Sequence, residues 1–414
     1  MGRPATIEAN LAEARPRVLA AFVRRFRDID EAEDAFQEAA VRALRRWPDT
    51  QIPSDPAAWL IRVGSNAMID RIRRDRKLAA YRQSEAVLEP ATDEEERLAD
   101  EIDGASMRDD VLRLLFMCCH PYLSVQDQLA LALKIVGGFS VEQIAAAFLI
   151  KPKTMEQRIT RARKKAGNIA CRLETPTAFE RMRRLDAVCL MIYLMFNEGY
   201  SAGTADKPVN AEICEEAIRL ARLVLSLFPS QPEVMGLLAL CLCQHSRHRA
   251  RAGSDGELLT LEQQDRTRWD RTAIAEAGVL IEKALLKGRP GPYQIQAAIA
   301  AVHCRAASAE ATDWREIALL YDALMGRMPT PVVALNRAVA VSKTEGPKEA
   351  LTLLEPLAGD LAGYLAFHVA HADFLAGLNH TDEARAALQT ALTLNPDRAQ
   401  ARHIERRLEE LDEK

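Results

Sequence analysis

The stretch Gly138-Phe139-Ser140-Val141-Glu142-Gln143-Ile144-Ala145-Ala146-Ala147-Phe148, continued by Leu149-Ile150-Lys151-Pro152-Lys153-Thr154, decides the architecture of this chain. Ser140 followed three residues later by Gln143 is a capping box, in which each residue satisfies an orphan amide at a helix start. Ile144, Ala145 and Phe148 give that helix an inner face, and Pro152 suits the first turn of the next helix. Two such helices across a tight turn make a helix-turn-helix, whose second helix lies in the major groove of DNA. On that second helix Met155, Ile159 and Ala162 recur at spacings of four and three, so they face inward. Lys153, Thr154, Gln157, Arg158 and Arg161 are left on the outside. Arginine and glutamine can each contact a base edge with two hydrogen bonds, whereas Lys164 and Lys165 suit phosphates. A solvated basic helix would have the same composition, so this segment needs support from the rest of the chain.

The charge distribution supplies some. The net charge of −4 argues against a nucleic-acid partner only until it is divided along the chain. Residues Arg62 to Lys77 hold six basic side chains against two acidic, and Lys151 to Ala166 hold seven against one. Between them, Glu85 to Asp103 carries nine acids and a single arginine. Two basic blocks on an acidic connector read as two anion-binding modules.

Period-3.6 apolar patterns run nearly end to end and no period-2 alternation stands out, so the fold class is all-α. A first block carries Val18, Leu19, Phe22 and Phe26, then Ala35, Phe36, Ala39 and Leu44, and stops at Trp47-Pro48. A third helix is expected from Ala57 to about Lys77, with Leu60, Val63, Ala67 and Ile72 inward. Far downstream, Ala384, Leu388, Ala391 and Pro396 occupy the small, large, small and proline positions of a tetratricopeptide unit. Ala350 and Leu354 stand 34 residues earlier, the period of that repeat, and Ala217, Val224 and Pro229 fit the same template. Arg249 to Asp270 fits it poorly. The expected division is a first module at 1–84, an acidic linker at 85–107, the helix-turn-helix module at 108–174 and a helical-repeat domain at 175–414.

Three stretches together resemble a known family. Glu33-Asp34-Ala35-Phe36-Gln37-Glu38-Ala39 with Arg42-Ala43-Leu44-Arg45-Arg46-Trp47 resembles sigma region 2.2. Pro56 to Asn66, through Asp70-Arg71-Ile72-Arg73-Arg74, resembles regions 2.3 to 2.4, and Phe139 to Lys165 resembles region 4.2. The chain is similar to the extracytoplasmic-function sigma factors of the sigma-70 family, in the group with a C-terminal tetratricopeptide-like extension; Tyr193-Leu194-Met195-Phe196-Asn197-Glu198-Gly199-Tyr200 resembles that group too.

The resemblance implies a DNA-binding initiation subunit without catalysis, whose partners are core RNA polymerase, through the β′ clamp helices and the β subunit, and promoter DNA. It implies that Asp34, Gln37 and Glu38 meet the clamp helices. An acidic helix edge suits a basic helical partner, though first-turn acids also stabilise their own helix dipole. Arg62, Asn66, Arg71, Arg73 and Arg74 would lie along the −10 element, and the loop Trp47 to Pro56 would accept a flipped base. For Trp59 the apolar neighbours favour a core role over a stacking platform. The −35 bases cannot be transferred from the family. Leu149 stands at a turn position where glycine is frequent, Lys151 replaces the serine cap, and Glu156 puts an acid near the DNA face. The short region before residue 10 and the lack of a domain between the basic blocks fit the minimal alternative type.

In the repeat domain, Asn197, Glu198 and Tyr200, with Gln263, Asp265, Arg266 and Trp269, are candidate contacts for a protein or small-molecule regulator. They serve equally well as interhelix hydrogen bonds. Cys241, Cys243, His245 and His248 lie close in sequence, but a repeat helix with incidental cysteines is preferred to a metal site, and Cys118-Cys119-His120 reads as packing. No cofactor or metal is expected, and no phosphate loop, serine elbow or carboxylate pair suggests an enzyme. Scattered cysteines, no apolar run near the ~20 residues of a membrane span, and no export signal in Met1-Gly2-Arg3-Pro4 point to the cytoplasm. A helix-turn-helix regulator or scaffold that never joins polymerase is the competing reading; it requires neither the Asp34-Gln37-Glu38 edge nor a second basic module.

Overall fold

The computed structural model describes residues 7–26, 28–47, 52–68, 114–120, 122–148, 150–170, 178–201, 211–251, 259–288, 290–394, 396 and 398–412. Among the described residues there is no strand, and no helix is long and apolar enough to cross a membrane. The chain divides into two compact units, residues 1–191 and 192–414.

The first unit opens with α1 (Ile7–Phe26) and α2 (Ile29–Arg46), which pack on each other. Asp28 caps α2 by accepting from the amides of Asp30 and Glu31. Val18, Leu19, Phe22, Ala35, Phe36 and Ala39 are buried as their spacing requires. Leu44 differs: it is 55% exposed, and Ala43 takes the core position on the last turn of α2. The helix α3 (residues 56–68) packs so close that a Cβ on Gly64 would stand 2.5 Å from the Phe22 ring and 2.8 Å from the Ala35 carbonyl oxygen. The part of this expected helix beyond residue 68, Ile72 included, lies outside the described residues.

Residues 114–118 form α4, whose Cys118 is fully buried, with its thiol pushed up to about 12 by burial. Next come α5 (Val125–Leu131), capped by Ser124, and a π-helical turn at Ala132–Val136. Gly138, at φ 75°, reverses the chain where a side chain would be strained. The helix-turn-helix follows as α6 (Val141–Ala147) and α7 (Pro152–Ala170). The capping box forms: the Ser140 amide donates to Gln143 Oε1 at 2.8 Å, and the Gln143 amide donates to Ser140 Oγ at 3.1 Å.

The second unit is a succession of helices, each packed mainly on its neighbours in the chain. The helix α8 (Ala178–Ser201) contains the division at 191/192. Then follow α9 (Ala211–Leu227), α10 (Pro232–Ser246), α11 (Arg271–Leu285), α12 (Pro292–Arg305), α13 (Trp314–Met325) and α14 (Pro331–Thr344). The last four are α15 (Pro347–Leu354), α16 (Leu365–Gly377), α17 (Thr381–Thr393) and α18 (Arg398–Asp412). Proline opens α10, α12, α14 and α15, at the one helical position where its missing N–H costs nothing. The repeat residues Ala217, Val224, Ala350, Leu354, Ala384, Leu388 and Ala391 are all at most 1% exposed. Small residues there let neighbouring helices approach, and each helix buries its stripe on the next. Leu335, Ala350, Leu354 and Phe367 make one such layer; Leu375, Ala384, Leu388 and Ile404 make another.

Candidate nucleic-acid interface

The recognition helix α7 has two opposed faces. Met155, Ile159, Ala162 and Ala166 are buried, between 0% and 4% exposed. Lys153, Thr154, Gln157, Arg161, Lys164 and Lys165 are exposed, and Arg158 is half-buried at the margin of that face. Arg161 is held in place by donating from Nε to the Gln157 carbonyl oxygen at 3.2 Å, and Lys165 stands 3.9 Å from Asp127. The exposed face therefore presents guanidinium, ammonium and amide groups on a helix whose roll is fixed by its buried side. Leu149, in the turn, lies outside the described residues.

A second polar face belongs to α3, with one cation, Arg62, among the described residues. Arg62 and Asn66 are exposed and one turn apart, so they share a face of that helix. Arg71, Arg73 and Arg74 lie outside the described residues, as do residues 48–51 of the loop after α2. Trp47 is 2% exposed, and its ring meets Trp59 edge-on at 4.9 Å, so the two rings pack on each other.

The exposed edge of α2 carries Asp34, Gln37 and Glu38. Because α2 begins at Ile29, these residues lie in its second and third turns, beyond the short reach of the N-terminal dipole. Glu38 accepts from Arg42 at 2.9 Å. Val41 and Leu44, 44% and 55% exposed, continue the same face. Two exposed aliphatic groups beyond an acidic edge make a surface suited to docking a helix. Their spacing from Asp34 and Gln37 is the signal that could have assigned them to this edge.

The modules carrying these surfaces touch. Arg15 on α1 is 9% exposed; it donates from Nε to the Ile135 carbonyl oxygen at 2.9 Å and from Nη2 to Glu33 Oε1 at 2.8 Å. The other Glu33 oxygen accepts from Arg163 on α7, which also reaches Asp30 at 2.6 Å.

Residues 11–78 match the model of sigma-70 region 2, residues 113–165 match that of sigma-70 region 4, and residues 184–285 match a family of unknown function. An uncharacterized protein of Rhizobium meliloti (strain 1021) is 52% identical over 405 residues, covering 98% of this chain and 96% of the relative. The chain belongs to the sigma-70 family of RNA polymerase sigma factors. It is an extracytoplasmic-function-like member with a C-terminal extension. As a sigma factor it has RNA polymerase and promoter DNA as partners, and its family consists of DNA-binding initiation factors rather than enzymes.

In the extension of this sigma factor, Asn197, Glu198 and Tyr200 are half-buried near the end of α8. Arg251 stacks over the Tyr200 ring at 3.6 Å and donates to the Tyr200 carbonyl oxygen at 2.9 Å. Burial raises the Glu198 carboxyl above its usual range. Gln263 and Asp265 are exposed and make local turns, accepting from Thr260 and Thr267. Arg266 and Trp269 are buried, at 7% and 3% exposure. Cys241 and Cys243 are buried in α10, and the His245 and His248 rings stack at 4.4 Å. Among the described residues no group of three potential ligands could hold a metal ion.

Proposed function

We propose that this cytoplasmic sigma factor docks on the β′ clamp helices through Asp34, Gln37, Glu38, Val41 and Leu44, with its region 4 module on the β subunit. Arg62 and Asn66, with Arg71, Arg73 and Arg74, follow the −10 element. Arg158, Arg161 and Gln157 read −35 base edges beside Lys153 and Thr154, while Lys164 and Lys165 hold phosphates. The observation carrying this reading is the exposed polar face of α7, set opposite the buried Met155, Ile159 and Ala162. The C-terminal unit controls initiation in cis: a covalently attached domain acts at high effective concentration, so weak contacts suffice. Its helix stack and its polar groups support a binding role over chemistry.

The test is run-off transcription from the cognate promoter with core polymerase, comparing the full chain with one ended after residue 174. Loss of transcription with polymerase binding retained is expected. Wild-type activity from the truncated chain, with and without the inducing condition, refutes control in cis.

A further inference from the structure

The C-terminal unit contains a cavity of about 460 Å³, a size that accommodates small organic molecules. Its lining comes from α8, α10, α12, α13 and α14 and from residues 259–270, part of the stretch that fits no repeat. Arg266 fastens that segment, donating to the carbonyl oxygens of His303 at 2.6 Å and Ala306 at 2.9 Å at the end of α12. Its guanidinium also stands 4.9 Å from the Trp269 ring. Leu261 and Trp269 thereby become a fixed wall rather than a loose connection.

The chemistry of the lining is one-sided. Arg247 is its charged side chain, and no aspartate or glutamate lines it among the described residues. Arg247 donates to Gln244 Oε1 at 3.1 Å, and no carboxylate lies within ion-pair range of it among the described residues. His303 adds no charge at neutral pH: burial first, then the fields of Arg247 and Arg266, lower it to about 4. The buried Trp269 indole N–H has no hydrogen-bond partner among the described residues. Tyr193, Trp269 and Tyr321 contribute aromatic surface, and Leu240, Ile299 and Met328 are among the apolar contributors. An unneutralised guanidinium in a half-enclosed site selects against cations and favours an anion. The aromatic and aliphatic part of the lining favours an apolar body over a hydrated inorganic ion, and Gln296, Thr330 and Asn336 set polar groups beside it.

We propose that this cavity binds a small carboxylic acid with an aromatic or conjugated body, its carboxylate on Arg247 and its ring against the Tyr193, Trp269 and Tyr321 surfaces, and that occupancy is the input by which the C-terminal unit controls initiation. The regulatory half rests on the control in cis proposed above; the binding site does not.

Titration calorimetry on the full chain tests the site, using benzoate, salicylate and indole-3-acetate, each beside its uncharged amide. At least one acid should bind about tenfold or more tighter than its amide, the factor expected of one bidentate charge-assisted contact. Arg247→Met should erase that preference while leaving amide binding, and Arg247→Lys, which keeps charge without the fork, should reduce it. Trp269→Phe should weaken acid and amide alike. Failure of all three acids to bind at millimolar concentration, equal binding of acids and amides, or an undiminished preference in both Arg247 variants overturns the site. Run-off transcription with the bound acid then tests the input: a changed yield supports it, and a saturated cavity with unchanged yield overturns it. Truncation after residue 174 without effect would instead remove control in cis, leaving the binding result standing.

Discussion

Arg163→Ala should loosen the contact between the region 2 and region 4 modules and so ease assembly on a promoter. Elements centred near −10 and −35 are separated by about 25 base pairs, roughly 85 Å at 3.4 Å per pair. On the proposed reading, with one module at each element, modules joined through Arg15, Glu33 and Arg163 have to separate before initiation. Glu33 is the centre of the contact: its side chain is 8% exposed, Arg163's is 19% exposed, and Asp30's is 74% exposed. Removing Arg163 deletes one charge-assisted bond to a buried carboxylate, about 1.5–3 kcal/mol. The exposed Asp30 pair adds at most about 1 kcal/mol. Glu33 keeps Arg15, so no buried charge is orphaned, and a net loss of about 2 kcal/mol favours the open form about thirtyfold. Glu33→Ala would be a poorer probe, because it removes the carboxylate partner of the buried Arg15 as well as that of Arg163, about 3–5 kcal/mol, and endangers the fold. Energy transfer between dyes at Arg45→Cys and Thr160→Cys in the free chain measures the open fraction. Polymerase titration measures its consequence, since affinity scales with the competent fraction. An Arg163→Ala chain with native helicity, unaltered energy transfer and unaltered polymerase affinity refutes the reasoning.

Other expectations follow from the same surfaces. Asp34→Lys with Glu38→Lys should abolish co-purification with core polymerase at unchanged thermal stability, and Leu44→Asp should weaken it; a folded double variant that still co-purifies excludes this edge. Arg161→Ala or Arg158→Ala should cost about 1–3 kcal/mol of discrimination at one −35 base pair, read by competition binding across single-base variants. Lys164→Ala should instead weaken all sequences together and lower the salt slope by about one. His245 and His303 are each depressed from 6.5 to about 4, chiefly by burial, so below 6.5 the unfolded chain takes up protons that the folded chain refuses. Their contribution, at most about 3 kcal/mol each, is complete above pH 6.5 and is lost as pH falls toward 4. Urea midpoints of the full chain should fall across that window, and His303→Gln should flatten the fall.

What the sequence made legible is what local periodicity encodes. The capping box at Ser140 and Gln143, the inner face of Met155, Ile159 and Ala162, and the buried alanines 34 residues apart each declare themselves within one or two helical turns. Leu44 departs from the core expected of a large aliphatic residue. The core position is filled by Ala43, and Leu44 is left outside with Val41. A large aliphatic residue that misses the core by one position is a better sign of a partner than one that fits. The long-range features were hidden for a different reason. Glu33 is bonded to groups 18 and 130 residues away, and the cavity draws on residues from Tyr193 to Asn336, so neither leaves a pattern within any window. Only one trace of the cavity reached the sequence: the failure of residues 249–270 to fit the repeat. A stacked array gains nothing for its own core from such an interruption, yet Arg266 is buried there and spends its donors on the carbonyl oxygens of α12. A buried guanidinium is costly unless fully hydrogen-bonded, so residues 259–270 are held at a defined position rather than tolerated as an insertion. The residue it steadies, Trp269, lines the cavity, and its indole N–H has no hydrogen-bond partner among the described residues. In this chain the departure from periodicity marks one wall of the cavity, and the periodic remainder supplies the frame that keeps it in place.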